Sequence, residues 1–299
     1  MSIQAEHLSV CICTYNRSES LRRTLGTLAE QKNVDWNHVE VIVVDNNCSD
    51  QTPQTVQEFA SILPIRRVVE PRQGLAHARN KAITESTGEW MLFTDDDVLL
   101  EPDWLSSYVS NTSRYERAEF AGGRVLPLWI GPKPRWWKEE HLDLLDGVLG
   151  WYEPPGQTRY FNTDDPEPFG ASLAIRKSLV DKVGMFRTDL GNIGSKVGRG
   201  EDTEIVRRAR MAKLQGVYIA EAVCWHPVEP RRLTLSALYD QGLAIARAHR
   251  TIGDPSAVGS RMTALQFLVR GLLQLGKGRG DRFRQCVINA GIQVGLSET

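Results

Sequence analysis

The sequence has little cysteine and little imbalance of charge, and it has no long apolar run. Its 299 residues include five cysteines (Cys11, Cys13, Cys48, Cys224 and Cys286) and no C-x-x-C pair. That excludes a disulfide-stapled framework and leaves too few clustered ligands for a structural zinc. Cys11 and Cys13 fall on one face of an apolar run and read as buried, reduced thiols. No run approaches the roughly 18–20 apolar residues of a membrane-spanning helix. The opening MSIQAEHLSVCICTYNR has no basic start followed by an apolar stretch, so no signal peptide is expected. Neither G-x-G-x-x-G nor a Walker A pattern occurs, which argues against dinucleotide and P-loop enzymes. Internal repeats and low-complexity tracts are absent, and 36 Lys+Arg against 37 Asp+Glu leave a net charge of −1.

What is present is ordinary for a globular chain: 41% hydrophobic and 24% charged residues, at a length that supports a large core. The charge is unevenly spread. Residues 231–299 hold ten Lys/Arg and four Asp/Glu, an excess of +6, so the first 230 carry −7. An acidic body without a basic-aromatic motif makes nucleic acid an unexpected partner.

The N-terminal third alternates strand and helix patterns. Leu8–Cys13, Val39–Val44, Ile65–Val69 and Trp90–Thr94 read as strands. Ser18 is placed as the cap of a helix bearing Leu21, Leu25 and Leu28; further helices are expected near Thr52–Phe59 and Gly74–Ser86. This predicts an α/β fold with a mostly parallel central sheet flanked by helices. In such sheets ligands sit beyond the carboxyl ends of the strands. Those ends carry the polar residues: Thr14, Tyr15, Asn16 and Arg17 after the first strand, Asp45, Asn46 and Asn47 after the second, Asp95-Asp96-Asp97 after the fourth. Residues 127–168 are rich in proline and hold Trp129, Trp136, Trp137 and Trp151. A strand is expected over Phe169–Ile175, a helix from Arg176 to Val183, another opened by Glu201-Asp202, and two short strands over Val217–Ala220 and Ala222–Trp225. The end is helical, with apolar stripes at Leu265, Leu268, Val269, Leu272, Leu273 and at Phe283, Val287, Ala290, Val294.

Three adjacent aspartates after a buried strand repel one another, and a hard divalent cation relieves that; the alternative is an exposed acidic turn. Glu201 and Asp202 fit a general base and equally fit acids placed for the dipole of the helix start. His226 is a metal ligand or a structural histidine. Arg79 is a surface charge or a nucleotide contact.

Taken in order, CICTYNR, VIVVDNNCSDQT, GLAHARNKAI, EWMLFTDDD, FGASLAIRKSLVDKVGMF and GEDTEIVRRAR resemble the family-two glycosyltransferases with the GT-A fold, over about residues 6–230. The resemblance implies a catalytic domain over 1–230, with a nucleotide-binding half (6–125) and an acceptor-side half (126–230), then a C-terminal helical extension (231–299). It implies inverting transfer of a sugar from a nucleoside-diphosphate sugar, UDP favoured, to a glycan or lipid-linked acceptor in surface polysaccharide biosynthesis. Hexosyl transfer is the expected class. Thr14, Tyr15 and Asp45 would contact the base, with Asn16, Arg17 and Arg79 holding the nucleotide. Asp95 and Asp96 would lie near ribose and phosphates. Asp97, with Asp95 and His226, would ligate Mn²⁺ or Mg²⁺. Asp202 would be the base, with Glu201 supporting it or meeting the acceptor, and Gly170, Ala171 and Ser172 would floor the acceptor pocket. Aromatics such as Trp137 would stack on sugar, fill the core or make oligomer contacts.

Two other readings stand beside this one: a non-catalytic nucleotide-sugar or glycan-binding protein on the same fold, and a nucleotidyltransferase. The expected location is cytoplasmic. The basic C-terminal helices would pack on the body, pair two copies, or lie on the inner face of a membrane.

Overall fold

A computed structural model describes residues 7–135, 137, 143–194, 197–253, 259 and 261–297. The first third is β1 (Leu8–Thr14), α1 (Ser18–Ala29), β2 (Val39–Asp45), α2 (Thr52–Phe59), β3 (Ile65–Val69), α3 (Leu75–Glu85) and β4 (Trp90–Asp95). Next come β5 (Leu99–Leu100), α4 (Trp104–Arg114), β6 (Ala118–Trp129), α5 (Asp143–Leu149), β7 (Arg159–Tyr160), β8 (Leu173–Arg176), α6 (Lys177–Val183), α7 (Glu201–Met211) and β9 (Gln215–Val228). The chain then forms α8 (Leu235–Ile252), α9 (Arg261–Gly276) and α10 (Gly280–Ser297).

The sheet runs β3-β2-β1-β4-β8-β6-β9-β5, with β7 pairing on β9. The first four strands are parallel, and from β8 onward the observed pairings are antiparallel. Both faces are covered, as a parallel sheet requires. Val10 and Ile12 of β1 pack with Leu21, Leu25 and Leu28 of α1 on one face, while Cys11 packs with Ala78, Ala82 and Ile83 of α3 on the other. All five cysteines are free thiols; Cys11, Cys224 and Cys286 are buried, and Cys13 and Cys48 are half-buried.

Local chemistry departs from the sequence expectation in three places, and a fourth settles a point left open. Ser18 does not cap α1; the Asp50 carboxylate, from the loop before α2, accepts the Ser18 N–H at 2.8 Å. The run Phe169–Ile175 is a 3₁₀ turn at Gly170–Ser172 followed by β8, not one strand. The two short strands after residue 215 are one continuous strand, β9. The stripe Leu265–Leu273 does not face a core: those side chains are exposed.

The chain divides into two compact units. One comprises Met1–Leu126, Tyr152–Thr188 and Glu201–His226; the other comprises Pro127–Trp151, Asp189–Gly200 and Pro227–Thr299. Both are built from interleaved segments, whereas the expected boundary at residue 230 follows chain order. The second has its own core, where Leu145, Val148 and Leu149 of α5 meet Leu238 of α8 and Val287 and Ile288 of α10. Among the described residues no helix is long and apolar enough to cross a membrane.

Candidate active site

The first unit gathers the polar strand ends. Thr14, last in β1, lies opposite Asp45, last in β2, and Cys13 lies opposite Asp95, last in β4. Strand order turns at β1, with β2 and β3 on one side and β4 on the other. Such a turning point opens a crevice beyond the carboxyl ends.

Of the three aspartates, the middle one is turned to a different task. Asp96 Oδ2 accepts the Thr14 hydroxyl at 2.7 Å and its Oδ1 accepts Arg17 Nη1 at 2.9 Å. Arg17 Nη2 also donates to Asp97 Oδ2 at 2.6 Å. Asp95 and Asp97 instead converge with His226, each offering an atom within 4.8 Å of the others. Antiparallel pairing of Leu99 with Trp225 runs the chain before β5 alongside the end of β9. That leaves His226 Nε2 3.9 Å from Asp97 Oδ1. Burial pushes the Asp95 and Asp96 carboxyls well up, and Asp97 adds repulsion against the pull of Arg79 and Arg17.

A second acidic pair opens α7, held by a buried arginine. Arg79, on α3 and only 3% exposed, places Nη1 2.5 Å from Glu201 Oε1 and 3.8 Å from Asp202 Oδ2, and Nη2 3.6 Å from Asp95 Oδ1. Burial, then the Asp202 charge, pushes the Glu201 carboxyl up despite Arg79. The Gly170 N–H donates to Asp202 Oδ2 at 2.8 Å. A Cβ on residue 170 would stand 1.7 Å from Arg79 Nη2, so a side chain there would force the guanidinium to shift. These ion pairs set five carboxylates (Asp95, Asp96, Asp97, Glu201, Asp202) against two guanidinium groups. Two carboxylates and an imidazole in such an acidic setting suit a divalent cation of the Mn²⁺ or Mg²⁺ kind.

At the end of β2, both oxygens of Asp45 are engaged. Oδ1 accepts the Cys48 N–H at 2.7 Å and Oδ2 pairs with Arg67 Nη1 at 2.5 Å. Tyr15, next to Thr14 in the chain, is half-buried, and the exposed Asn16, at φ 50°, accepts the Ser49 N–H at 2.7 Å. Of the Gly170–Ser172 trio, Gly170 alone reaches Asp202 by a hydrogen bond among the described residues. Ala171 and Ser172 are 1% exposed, and Ser172 Oγ accepts Trp104 Nε1 at 3.0 Å in the interior. Trp137 is in the other unit, 9% exposed, its ring 5.2 Å from Trp129 and 5.3 Å from Trp151. Trp136 lies outside the described residues.

The family model "Glycosyl transferase family 2" matches residues 9–184, more than half of the chain. The chain belongs to glycosyl transferase family 2. Its sequence is 26% identical over 258 residues to the succinoglycan biosynthesis protein ExoM of Rhizobium meliloti, covering 85% of this chain and 78% of ExoM. It is 30% identical over 238 residues to the glycosyltransferase AglE of Haloferax volcanii, covering 75% of this chain and 67% of AglE. It is 26% identical over 193 residues to the glucosyl-dolichyl phosphate glucuronosyltransferase of that organism, covering 63% of this chain but spanning only 58% of that protein. The fold matches the mannosyltransferase PcManGT from Pyrobaculum calidifontis, solved with GDP-Man and Mn²⁺, at TM-score 0.66 and 20% identity, over 99% of this chain and 88% of that one. It also matches S. aureus TarS 1-349 solved with UDP-GlcNAc, at TM-score 0.53 and 15% identity, over 94% and 90%. By fold this family-two chain is a GT-A protein.

Arg67, which pairs with Asp45, was not anticipated: it sits on an edge strand where a basic residue reads as solvated. Gly170, expected at the floor of the acceptor pocket, meets Asp202 through its backbone N–H and Arg79 through its lack of a side chain. Asn46, read only as a polar residue after the second strand, is more distant. Its side chain donates to the Glu70 and Arg72 carbonyls and accepts the Gly74 N–H, shaping the loop that delivers α3 and Arg79.

Proposed function

We propose that this chain transfers a sugar, with inversion, from a nucleoside-diphosphate sugar to a hydroxyl group of a glycan or lipid-linked acceptor in polysaccharide assembly. The observation that carries the reading is Asp202: a carboxylate at a helix start, aligned by the Gly170 N–H and set in the same acidic cluster as Asp95, Asp97 and His226.

In this reading Asp45 accepts from a nucleobase N–H while Arg67 Nη1 donates to an adjacent carbonyl. Uracil, thymine and guanine all present that pair of groups, and of their diphosphates UDP is the one the family resemblance favours. Thr14, Tyr15, Asn16 and Arg17 line the approach to the base and diphosphate. Arg17 also fixes Asp96, so Asp96 acts by holding the loop that presents Asp95 and Asp97. Those two aspartates and His226 would hold a divalent cation, which when bound offsets charge on the diphosphate.

Asp202 accepts the proton of the acceptor hydroxyl. The hydroxyl oxygen forms the new bond to the anomeric carbon, while the bond to the diphosphate oxygen breaks and that oxygen keeps the electron pair. A single displacement inverts the carbon and needs no nucleophile from the protein. Arg79 is the brace: it neutralises Glu201 and holds the acidic pair in place. Ala171, Ser172 and Trp137 have no part in the acceptor contact proposed here.

The test is a thermal-shift comparison of UDP, GDP and dTDP, each with and without Mn²⁺, followed by assay of nucleoside diphosphate release from the matching donor. A melting rise with one diphosphate, larger with Mn²⁺, is the expected result. No shift at concentrations well above millimolar, with no diphosphate released, would overturn the reading. Release of pyrophosphate from a nucleoside triphosphate would make it a nucleotidyltransferase.

A further inference from the structure

The second unit carries a surface that the transferase reading does not use. Helix α9 packs on α10 through a narrow face of small residues. Ala264 is buried, and a Cβ on Gly271 would meet Phe283 and Cys286 at about 3 Å. Most of the rest of the helix is apolar and exposed. Met262 is 65% exposed, Leu265 55%, Val269 51%, Leu272 61% and Leu273 64%, and Leu268 and Leu275 continue the surface at 38% and 48%. At 100° per residue these seven side chains fill an arc of about 160°. Gln266, Arg270 and Lys277, all exposed, border that arc on one side.

The arc is wider than the seam of a coiled coil and, from Met262 to Leu275, is unbroken by charge. It is also too short to span a bilayer: 16 residues rise about 24 Å, against roughly 30 Å of hydrocarbon. The surrounding charge is of one sign. From residue 255 to 297 the chain has six basic residues (Arg261, Arg270, Lys277, Arg279, Arg282 and Arg284) and one acid, Asp281. Asp281 is 1% exposed, so it does not offset the basic side chains at the surface.

The geometry points to α9 as an in-plane anchor that lies on an anionic lipid surface, its leucines in the acyl boundary and Arg270 and Lys277 at the headgroups. Long cationic side chains at the border of an apolar arc reach the headgroup layer while their stems stay in apolar surroundings. A second copy of the chain is disfavoured as the occupant, because pairing two α9 faces would bring two cationic borders together without acids between them. This inference does not rest on the sugar-transfer reading, and its test needs no substrate.

The full chain is sedimented with vesicles of phosphatidylcholine containing roughly one-third phosphatidylglycerol, and with pure phosphatidylcholine vesicles. The protein is expected to co-sediment with the anionic vesicles about tenfold or more better than with the neutral ones. Changing Leu265→Gln, Val269→Gln and Leu272→Gln together is expected to weaken binding about a hundredfold. The pair Arg270→Gln and Lys277→Gln is expected to weaken it about tenfold on anionic vesicles and to leave neutral ones unchanged. All five sites are exposed, and unchanged circular-dichroism melting confirms that each variant is folded. The inference is overturned if the native chain stays in the supernatant with anionic vesicles, or if the triple variant binds as the native chain does. It is also overturned if light scattering finds a native dimer that the triple variant converts to monomer, which would give the face to a second copy.

Discussion

In the unit that holds Asp202, charged side chains are buried: Arg79, Asp45, Asp96 and Glu201 are each exposed by less than 5%. In the other unit leucines are exposed, Leu272 and Leu273 by more than 60%. Both arrangements oppose the ordinary sorting of side chains and cost free energy in an isolated chain. The first is compensated internally, by Arg79 and Arg17 and by backbone donors such as the Gly170 N–H. The second has no compensation among the described residues. A buried charge cluster therefore points to chemistry carried out within the fold, and an exposed apolar arc points to a surface the fold meets.

The largest expected effect tests the buried cluster directly. Asp202→Asn keeps the shape and removes the proton acceptor, so the rate of nucleoside diphosphate release in the presence of acceptor is expected to fall on the order of a thousandfold. Diphosphate binding, read by thermal shift, should persist. An Asn variant that turns over like the native chain would remove Asp202 from the chemistry and reduce the cluster to a structural ion-pair network.

Next comes Arg79. Deleting it leaves Glu201 buried without its cation, and breaking a buried pair from one side costs about 3–5 kcal/mol. Urea unfolding of Arg79→Ala should show a loss of that order at neutral pH. The loss should shrink as pH falls. Glu201 in the fold binds its proton more readily than in the unfolded chain, whose carboxyl keeps its ordinary value of 4.5. Between that value and the raised one the fold holds more protons, so acidification stabilises it and rising pH destabilises it. A deficit in the variant that is independent of pH would show that the lost cation is not what matters.

Gly170→Ala should be milder. The added methyl meets the Arg79 guanidinium at 1.7 Å in the unrelaxed geometry, and overpacking of this kind costs typically about 1–3 kcal/mol. Because the same residue donates its N–H to Asp202, activity should fall by more than stability alone explains.

What the sequence made legible follows the same division. The strands β1, β2 and β4 are near-continuous apolar runs that end in polar residues, the pattern of buried parallel strands whose carboxyl ends line a site. Asp97 and His226 could be named separately, but their meeting depends on β9 pairing with β5. Arg79 and Glu201 are 122 residues apart, and no local periodicity links them. Ser18 looked like a cap because its type suits the position, yet Asp50 from another loop reaches that N–H. The resemblance alone places Ser172 at the acceptor floor, and Trp104 donates to it in the core. Periodicity found the α9 stripe, but a stripe states only that one face is apolar and not whether the fold covers it.

The smallest expected effect is close to zero, and it bears on the comparison as much as the largest. If the α9 leucines were held by the fold, Leu272→Ser would remove buried apolar area and cost more than 1 kcal/mol. Leu272 is 61% exposed, so the unfolding free energy should change by less than about 0.5 kcal/mol. Ile288→Ala, in the core of the same unit and 0% exposed, should cost about 2–5 kcal/mol. Measuring both by urea unfolding separates two causes of an apolar stripe. If Leu272→Ser proves as costly as Ile288→Ala, α9 is a core helix in solution and the contrast between the units disappears. If it proves neutral, the leucines do not serve folding, and their surface is available to a lipid headgroup layer.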